Sequence, residues 1–143
     1  MVTLKLTTEI LASKETVWEQ LWSDSGYRNW TSAFCEGSYA ESDWNEGSRI
    51  NFLSPDGSGM FALIEKNIPL KQMTFKHLGE VKDGKEIPKD WAGGRESYFL
   101  DESSNITSLT VELDVTEEFE SYFNDTFPKA LQILKEACEK PKV

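Results

Sequence analysis

Few side chains in this chain stand where acid, base or nucleophile chemistry would need them. They are His77, Glu96 and Tyr98, the thiols Cys35 and Cys138, and a backbone feature, the pair Gly93-Gly94. His77 alternates with Met73 and Phe75 in "KQMTFKHLGEV" and so shares their strand face, pointing inward. A lone histidine on such a face reads first as a core residue, and no carboxylate at a telling spacing equips it for proton transfer. Glu96 and Tyr98 share a face of "RESYFL". A buried glutamate needs a partner, and Arg49 or Arg95 is the candidate, with Arg49 and Asn51 in opposite phase to Phe52. Glu96 therefore reads first as an exposed or salt-bridged strand residue and second as a ligand contact.

Cys138 falls on an apolar helical stripe and reads as a small hydrophobe. Cys35 has no histidine or basic cluster nearby in sequence to activate it as a nucleophile. No serine sits in a G-x-S-x-G setting, and no His/Cys/Asp cluster has metal-ligand spacing. No catalytic residue, metal or cofactor is expected. The glycine pair lies in "DWAGGRESYFL". A phosphate-cradling loop needs glycines that lead into a helix, whose amides meet the anion. Here they lead into an alternating strand, so the pair reads as a loop end that needs positive φ or close backbone approach. Trp91, just before it, is placed at a cavity mouth as lid or wall.

The elements that must carry these residues follow from periodicity. Val2, Leu4, Leu6 and Ile10 alternate with polar residues as a first strand. Ser13 caps a helix through "KETVWEQLW", with Glu15 in its first turn. Gly26 ends that helix, and Tyr27 and Trp30 suggest one further turn. "FCEGSYAES" and "SRINFLS" read as strands, "SPDGSG" as a hairpin turn, "MFALIEKNIP" and "KQMTFKHLGEV" as strands, and "KDGKEIPKD" as a polar loop. "RESYFLDE" and "ITSLTVELDV" complete the sheet. In the last, Leu109, Val111, Leu113 and Val115 face one way and Thr110, Glu112 and Asp114 the other, the pattern of a sheet with one covered face. The cover is a C-terminal helix whose Phe119, Phe123, Phe127, Leu131, Leu134 and Cys138 form one stripe. Pro128 inside it predicts a kinked but continuous helix.

Composition bounds the function. The 143 residues make one domain, 1–143, with 38% hydrophobic and 28% charged residues. Five Trp and eight Phe are a rich supply for one small core. Fifteen basic against twenty-five acidic residues leave a net charge of −10, which argues against nucleic acid and anionic membrane surfaces as partners. No apolar run approaches a bilayer span, and no basic leader precedes an apolar stretch. A cytoplasmic α+β protein with reduced thiols is the expectation.

Several stretches in this order carry a likeness: "ASKETVWEQL", "WTSAF", "EGSRINF", the glycine pair with "ESYFL", "TSLTVELDV" and "FPKALQILKEACEK". Together they resemble the START/Bet v 1-like (SRPBCC) superfamily, over nearly the whole chain. The branch most resembled is named for the heat shock protein 90 ATPase activator C-terminal domain. "DESSN" stands where many relatives have a glycine-rich turn. The resemblance implies a helix-grip fold, with a curved antiparallel sheet of about six to seven strands around the long C-terminal helix. One or two short helices follow the first strand. It also implies an apolar cavity between sheet and helix.

On that basis the expected role is binding of a hydrophobic or amphipathic small molecule, lipid-like or aromatic. The alternatives are a polyketide cyclase/hydrolase-type enzyme using the same cavity, and a regulator that contacts a chaperone. A homodimer is a further possible assembly. The candidate cavity residues are Trp30, Phe52, Phe61, Phe75, His77, Trp91, Glu96, Tyr98, Phe119, Phe123 and Phe127. Taken singly, each aromatic reads first as ordinary core.

Overall fold

The computed structural model describes residues 1–89 and 93–140. The chain opens with strand β1 (Val2–Ile10), followed by helices α1 (Lys14–Trp22) and α2 (Asp24–Trp30) and a single 3-10 turn (Thr31–Ala33). Seven strands come next: β2 (Tyr39–Glu41), β3 (Arg49–Leu53), β4 (Gly59–Ile68), β5 (Gln72–Lys82), β6 (Lys85–Pro88), β7 (Arg95–Ser103) and β8 (Ile106–Val115). Helix α3 (Glu117–Glu139) ends the described fold. The strands form one curved antiparallel sheet in the order β1-β8-β7-β5-β4-β3-β2, with β6 attached to β5.

One strand lies beyond those read from the sequence: β6, a four-residue strand inside the stretch that reads as a polar loop. β2, at the edge, keeps only three residues of the strand expected over "FCEGSYAES". β6 folds back on β5 through Asp83 and Gly84, both at positive φ (52° and 74°), as a two-residue hairpin turn requires.

Ser13 caps α1 as the sequence implies, its Oγ accepting the Thr16 amide at 3.3 Å. The break between the helices falls at Ser23 rather than Gly26. The Ser23 amide donates to the Glu19 carbonyl at 2.9 Å, while its Oγ accepts the Gly26 amide at 3.1 Å. Gly26 lies inside α2 for a steric reason. A Cβ there would sit 2.2 Å from the Gln20 carbonyl oxygen, so only glycine lets α2 pack this closely on α1.

The alternation of β8 is realised: Leu109, Val111, Leu113 and Val115 are buried with Leu4 and Ile10 of β1. Ala130, Leu131, Leu134 and Cys138 of α3 join them in the same cluster. Each such aliphatic side chain contributes about 1.5–3 kcal/mol relative to exposure. Pro128 sits within an uninterrupted α3, on its exposed side, where the carbonyl it leaves without a donor can face water. The buried stripe begins only at Phe127. Phe123 is half-buried, and Phe119 is 48% exposed, because the first turns of α3 stand off the sheet.

The "DESSN" hairpin closes tightly without glycine. Ser103 pairs with Ile106, and the two residues between them, Ser104 and Asn105, adopt φ of 53° and 65°. A left-handed residue costs about 1–2 kcal/mol, partly offset in glycine by the greater chain entropy it loses, about 0.5–1 kcal/mol. Ser104→Gly is therefore expected to raise stability by roughly 0.5 kcal/mol, read as a higher urea midpoint at unchanged slope.

Candidate functional site

The first turns of α3 roof a space over the sheet that divides into two adjoining lobes. The smaller, about 260 Å³, lies between α2, the 3-10 turn, the β3–β4 hairpin and α3, and is walled by Tyr27, Trp30, Phe34, Phe52, Phe123 and Phe127 among others. The larger, about 480 Å³, lies between α3 and strands β5, β7 and β8, with Leu113, Phe119, Tyr122 and Phe123 prominent in its wall. Met60, Glu96, Tyr122 and Phe123 line both.

One polar cluster stands at the seam. Nε2 of His77 lies 2.9 Å from Oε1 of Glu96, and the Tyr98 hydroxyl donates to Oε2 of the same carboxylate. The side chains of His77 and Glu96 are 8% and 17% exposed, and Tyr98 is fully buried. Strand pairing brings them together. Glu96 sits opposite Phe75 in the β5–β7 register, which places His77, two residues on, diagonal to it on the same face.

The glycine pair fixes this arrangement. Gly93, at φ 98°, donates its amide to the His77 carbonyl at 2.8 Å, and the Gly94 carbonyl accepts the His77 amide at 2.9 Å. The pair is thus a backbone clamp that holds His77 beside Glu96 as β7 begins. Burial pushes the phenols of Tyr27 and Tyr98 far above their ordinary value of 10, and the charge of Glu96 pushes the same way.

The expected partners of Glu96 are engaged elsewhere. Arg95 grips Glu65 through two bonds of 2.7 and 3.1 Å, and Arg49 pairs with Glu86. His77 and Tyr98 take their place. The carboxylate that sequence spacing does not offer to His77 is Glu96, nineteen positions away and on another strand.

Trp30, Phe52, Glu96, Tyr98, Phe123 and Phe127 line the smaller lobe. His77, Glu96, Phe119 and Phe123 line the larger. Two candidates belong elsewhere. Phe61 faces the other side of the sheet, in a small cluster with Leu53 and Val81 and under the Arg49 guanidinium at 4.7 Å. "MFALI" is apolar on both faces, so its alternation does not say which face is inside; Ala62 and Ile64 are the core side. Phe75 is fully buried against Trp22 (5.4 Å) and Phe52 (5.0 Å) and is plain core. Trp91 lies outside the described residues.

Tyr27, Phe34, Met60 and Tyr122 line the space without having been singled out as lining residues. Tyr122 falls off the step-four stripe of α3, yet stands three residues from Phe119 and so beside it on the helix surface. Among the described residues no group of three His, Cys, Asp or Glu side chains is placed to hold a metal.

Both thiols are free, Cys35 exposed and Cys138 buried. Burial, with Glu139 next to it, pushes the Cys138 thiol up to about 12. Iodoacetamide at mildly alkaline pH is therefore expected to modify Cys35 in the folded protein and Cys138 only after unfolding, read as one adduct and then two by mass spectrometry.

No known protein family matches the chain by sequence, and no curated protein matches it either. Solved structures do. The chain is similar to the Aha1 dimer from Colwellia psychrerythraea, at 25% identity over 100% of both chains with a TM-score of 0.78. Protein MLL2253 from Mesorhizobium loti is similar at 13% identity over 99% of this chain and 100% of that one, with a TM-score of 0.77. CalU16 from Micromonospora echinospora follows at 14% identity, 96% and 76% coverage and a TM-score of 0.71. These neighbours are Aha1-like and other SRPBCC-type proteins, and the chain shares their helix-grip fold.

Proposed function

From the START/Bet v 1-like helix-grip fold as premise, we propose that this chain is a cytoplasmic module that binds a hydrophobic or amphipathic small molecule in the two-lobed space beneath α3. The observation that carries this reading is the space itself: aromatic and aliphatic walls around one buried polar cluster, His77–Glu96–Tyr98. A largely apolar cavity of a few hundred Å³ with a small set of orienting polar groups is the usual form of a small-molecule site. Phe119 and Tyr122, both about half exposed (48% and 46%), frame the mouth and supply the apolar surface a ligand would cross.

A thermal-shift panel of long-chain and aromatic amphiphiles tests it. A ligand present at a hundred times its Kd stabilises the fold by about 2.7 kcal/mol and should raise Tm by roughly 5–10 °C. A panel in which no compound moves Tm, together with a Phe123→Ala variant that behaves like the parent, would sink the idea.

A second reading is an enzyme of the cyclase/hydrolase type, favoured by the 2.9 Å contact of His77 with Glu96 at the cavity wall. An imidazole oriented by a carboxylate is a competent acid–base couple. The discriminating result is chemical: bound compounds recovered unaltered by mass spectrometry support the binding module, and altered ones support the enzyme. The chaperone-regulator alternative has only the likeness to Aha1 in its favour. A homodimer is supported by the dimeric state of that same neighbour. No described helix is long and apolar enough to cross a membrane.

A further inference from the structure

We propose that the polar end of the ligand is a hydrogen-bond donor, a protonated amine in particular, seated on Glu96; carboxylate- and phosphate-headed lipids are excluded. This rests on the cavity reading and names the class of molecule that the cavity selects.

Among the described residues Glu96 is the one carboxyl side chain common to both lobes. Its Oε1 meets Nε2 of His77, and its Oε2 accepts the Tyr98 hydroxyl. A carboxylate has about four lone-pair sites, so roughly two remain for a donor that arrives through the cavity. His77 and Tyr98 also hold the carboxylate in one orientation, so a ligand bond formed there loses little side-chain freedom.

The charge around the space points the same way. Among the described residues no Lys or Arg side chain lines either lobe, whereas Glu80, Glu96 and Asp114 line the larger one. The nearby cations pair with other carboxylates, Arg95 with Glu65, Arg49 with Glu86, and Lys89 with Glu80 at 3.6 Å, so among the described residues no Lys or Arg side chain pairs with Glu96. An anionic headgroup would therefore stand beside Glu96 with no guanidinium or ammonium side chain to balance it. An ammonium meets a carboxylate and the rings of Phe119, Tyr122 and Phe123 in the same lobe, and aromatic rings attract cations. The net charge of −10 draws cationic amphiphiles toward the protein and repels anionic ones.

Calorimetric titration of dodecylamine, dodecanol and dodecanoate tests this, each below its aggregation threshold and at physiological salt. The expected order is amine first, with dodecanoate about tenfold weaker or more. Glu96→Gln, which keeps shape and removes charge, should weaken dodecylamine about tenfold and dodecanol by less than about twofold. Glu117→Gln, an exposed change of the same charge outside the cavity, should leave both unchanged.

Dodecanoate binding as tightly as dodecylamine overturns the proposal and leaves the cavity reading standing. So does a loss of amine affinity in Glu117→Gln equal to that in Glu96→Gln. Failure of all three compounds to bind removes the cavity reading itself. The head-group order is measured on the unaltered protein, so it decides the matter even where Glu96→Gln does not fold.

Discussion

Trp30→Ala is expected to lower the unfolding free energy by about 4–5 kcal/mol, the upper end of the range for an aromatic-to-alanine truncation. Trp30 is 2% exposed and meets Trp22, Tyr27 and Tyr98 edge-on at centroid distances of 6.3, 5.6 and 6.0 Å. Such edge-to-face pairs add about 0.5–1.5 kcal/mol each beyond area burial. Its indole also donates to the Leu21 carbonyl at 3.1 Å. Leu21 lies in the last turn of α1, where carbonyls have no partner within the helix, so the ring caps a helix end as well as filling space. Truncation leaves that buried carbonyl without its indole donor, and this places the cost above that of a cavity alone.

Urea unfolding of three variants separates the contributions. Trp30→Phe keeps a ring and loses the donor, and should cost about 1–2 kcal/mol less than Trp30→Ala. Phe123→Ala removes a half-buried ring at the seam of the two lobes and should cost only about 1 kcal/mol while weakening ligand binding markedly. A loss below about 1 kcal/mol in Trp30→Ala would make Trp30 a replaceable wall of the cavity rather than the joint between α1, α2 and the sheet.

This contrast between core and wall marks what the sequence discloses. The covered antiparallel sheet and its C-terminal helix were legible because these long elements repeat one period without interruption, two in β8 and close to 3.6 in α3 even across Pro128. The family resemblance then implied the helix-grip arrangement. The short elements were less so. β2 keeps only three residues of the strand read over "FCEGSYAES", and β6, four residues written in Lys, Glu, Ile and Pro, is too short for a period to declare itself and reads as loop.

The candidate site was half legible for a related reason. That His77 faces inward, and that Glu96 and Tyr98 share a face, follow from alternation within one strand. That His77 meets Glu96 depends on which strand lies beside β5. β6, a short hairpin partner, occupies only the end of β5 from Gly79 to Lys82, and this leaves Gln72 to Lys76 free for β7. No spacing along the chain encodes that choice. Phe61 fails for the opposite reason, since an apolar run on both faces carries no phase at all.

Alkaline pH is expected to unfold this protein steeply, because two buried phenols resist ionisation. Tyr27 and Tyr98 have folded-state pKa values far above the ordinary 10, desolvation being the larger cause and the charge of Glu96 the next. In the unfolded chain both return to the ordinary value. The neutral phenol is thus held by the folded state, and its contribution is fully present below pH about 10. Above it the unfolded chain loses two protons that the folded protein keeps, so the equilibrium moves toward unfolding. The slope approaches about 1.4 kcal/mol per pH unit for each tyrosine that the folded protein keeps protonated. Tyr27→Phe keeps the ring that stacks on Phe52 at 6.2 Å and removes one of the two protons. Urea midpoints measured above pH about 10 should therefore fall about half as steeply in Tyr27→Phe as in the parent. Equal slopes would mean that Tyr27 ionises in place through water in the smaller lobe. The phenol would then report a wet pocket, and the aromatic wall beneath α3 would have to be read as a solvated cleft.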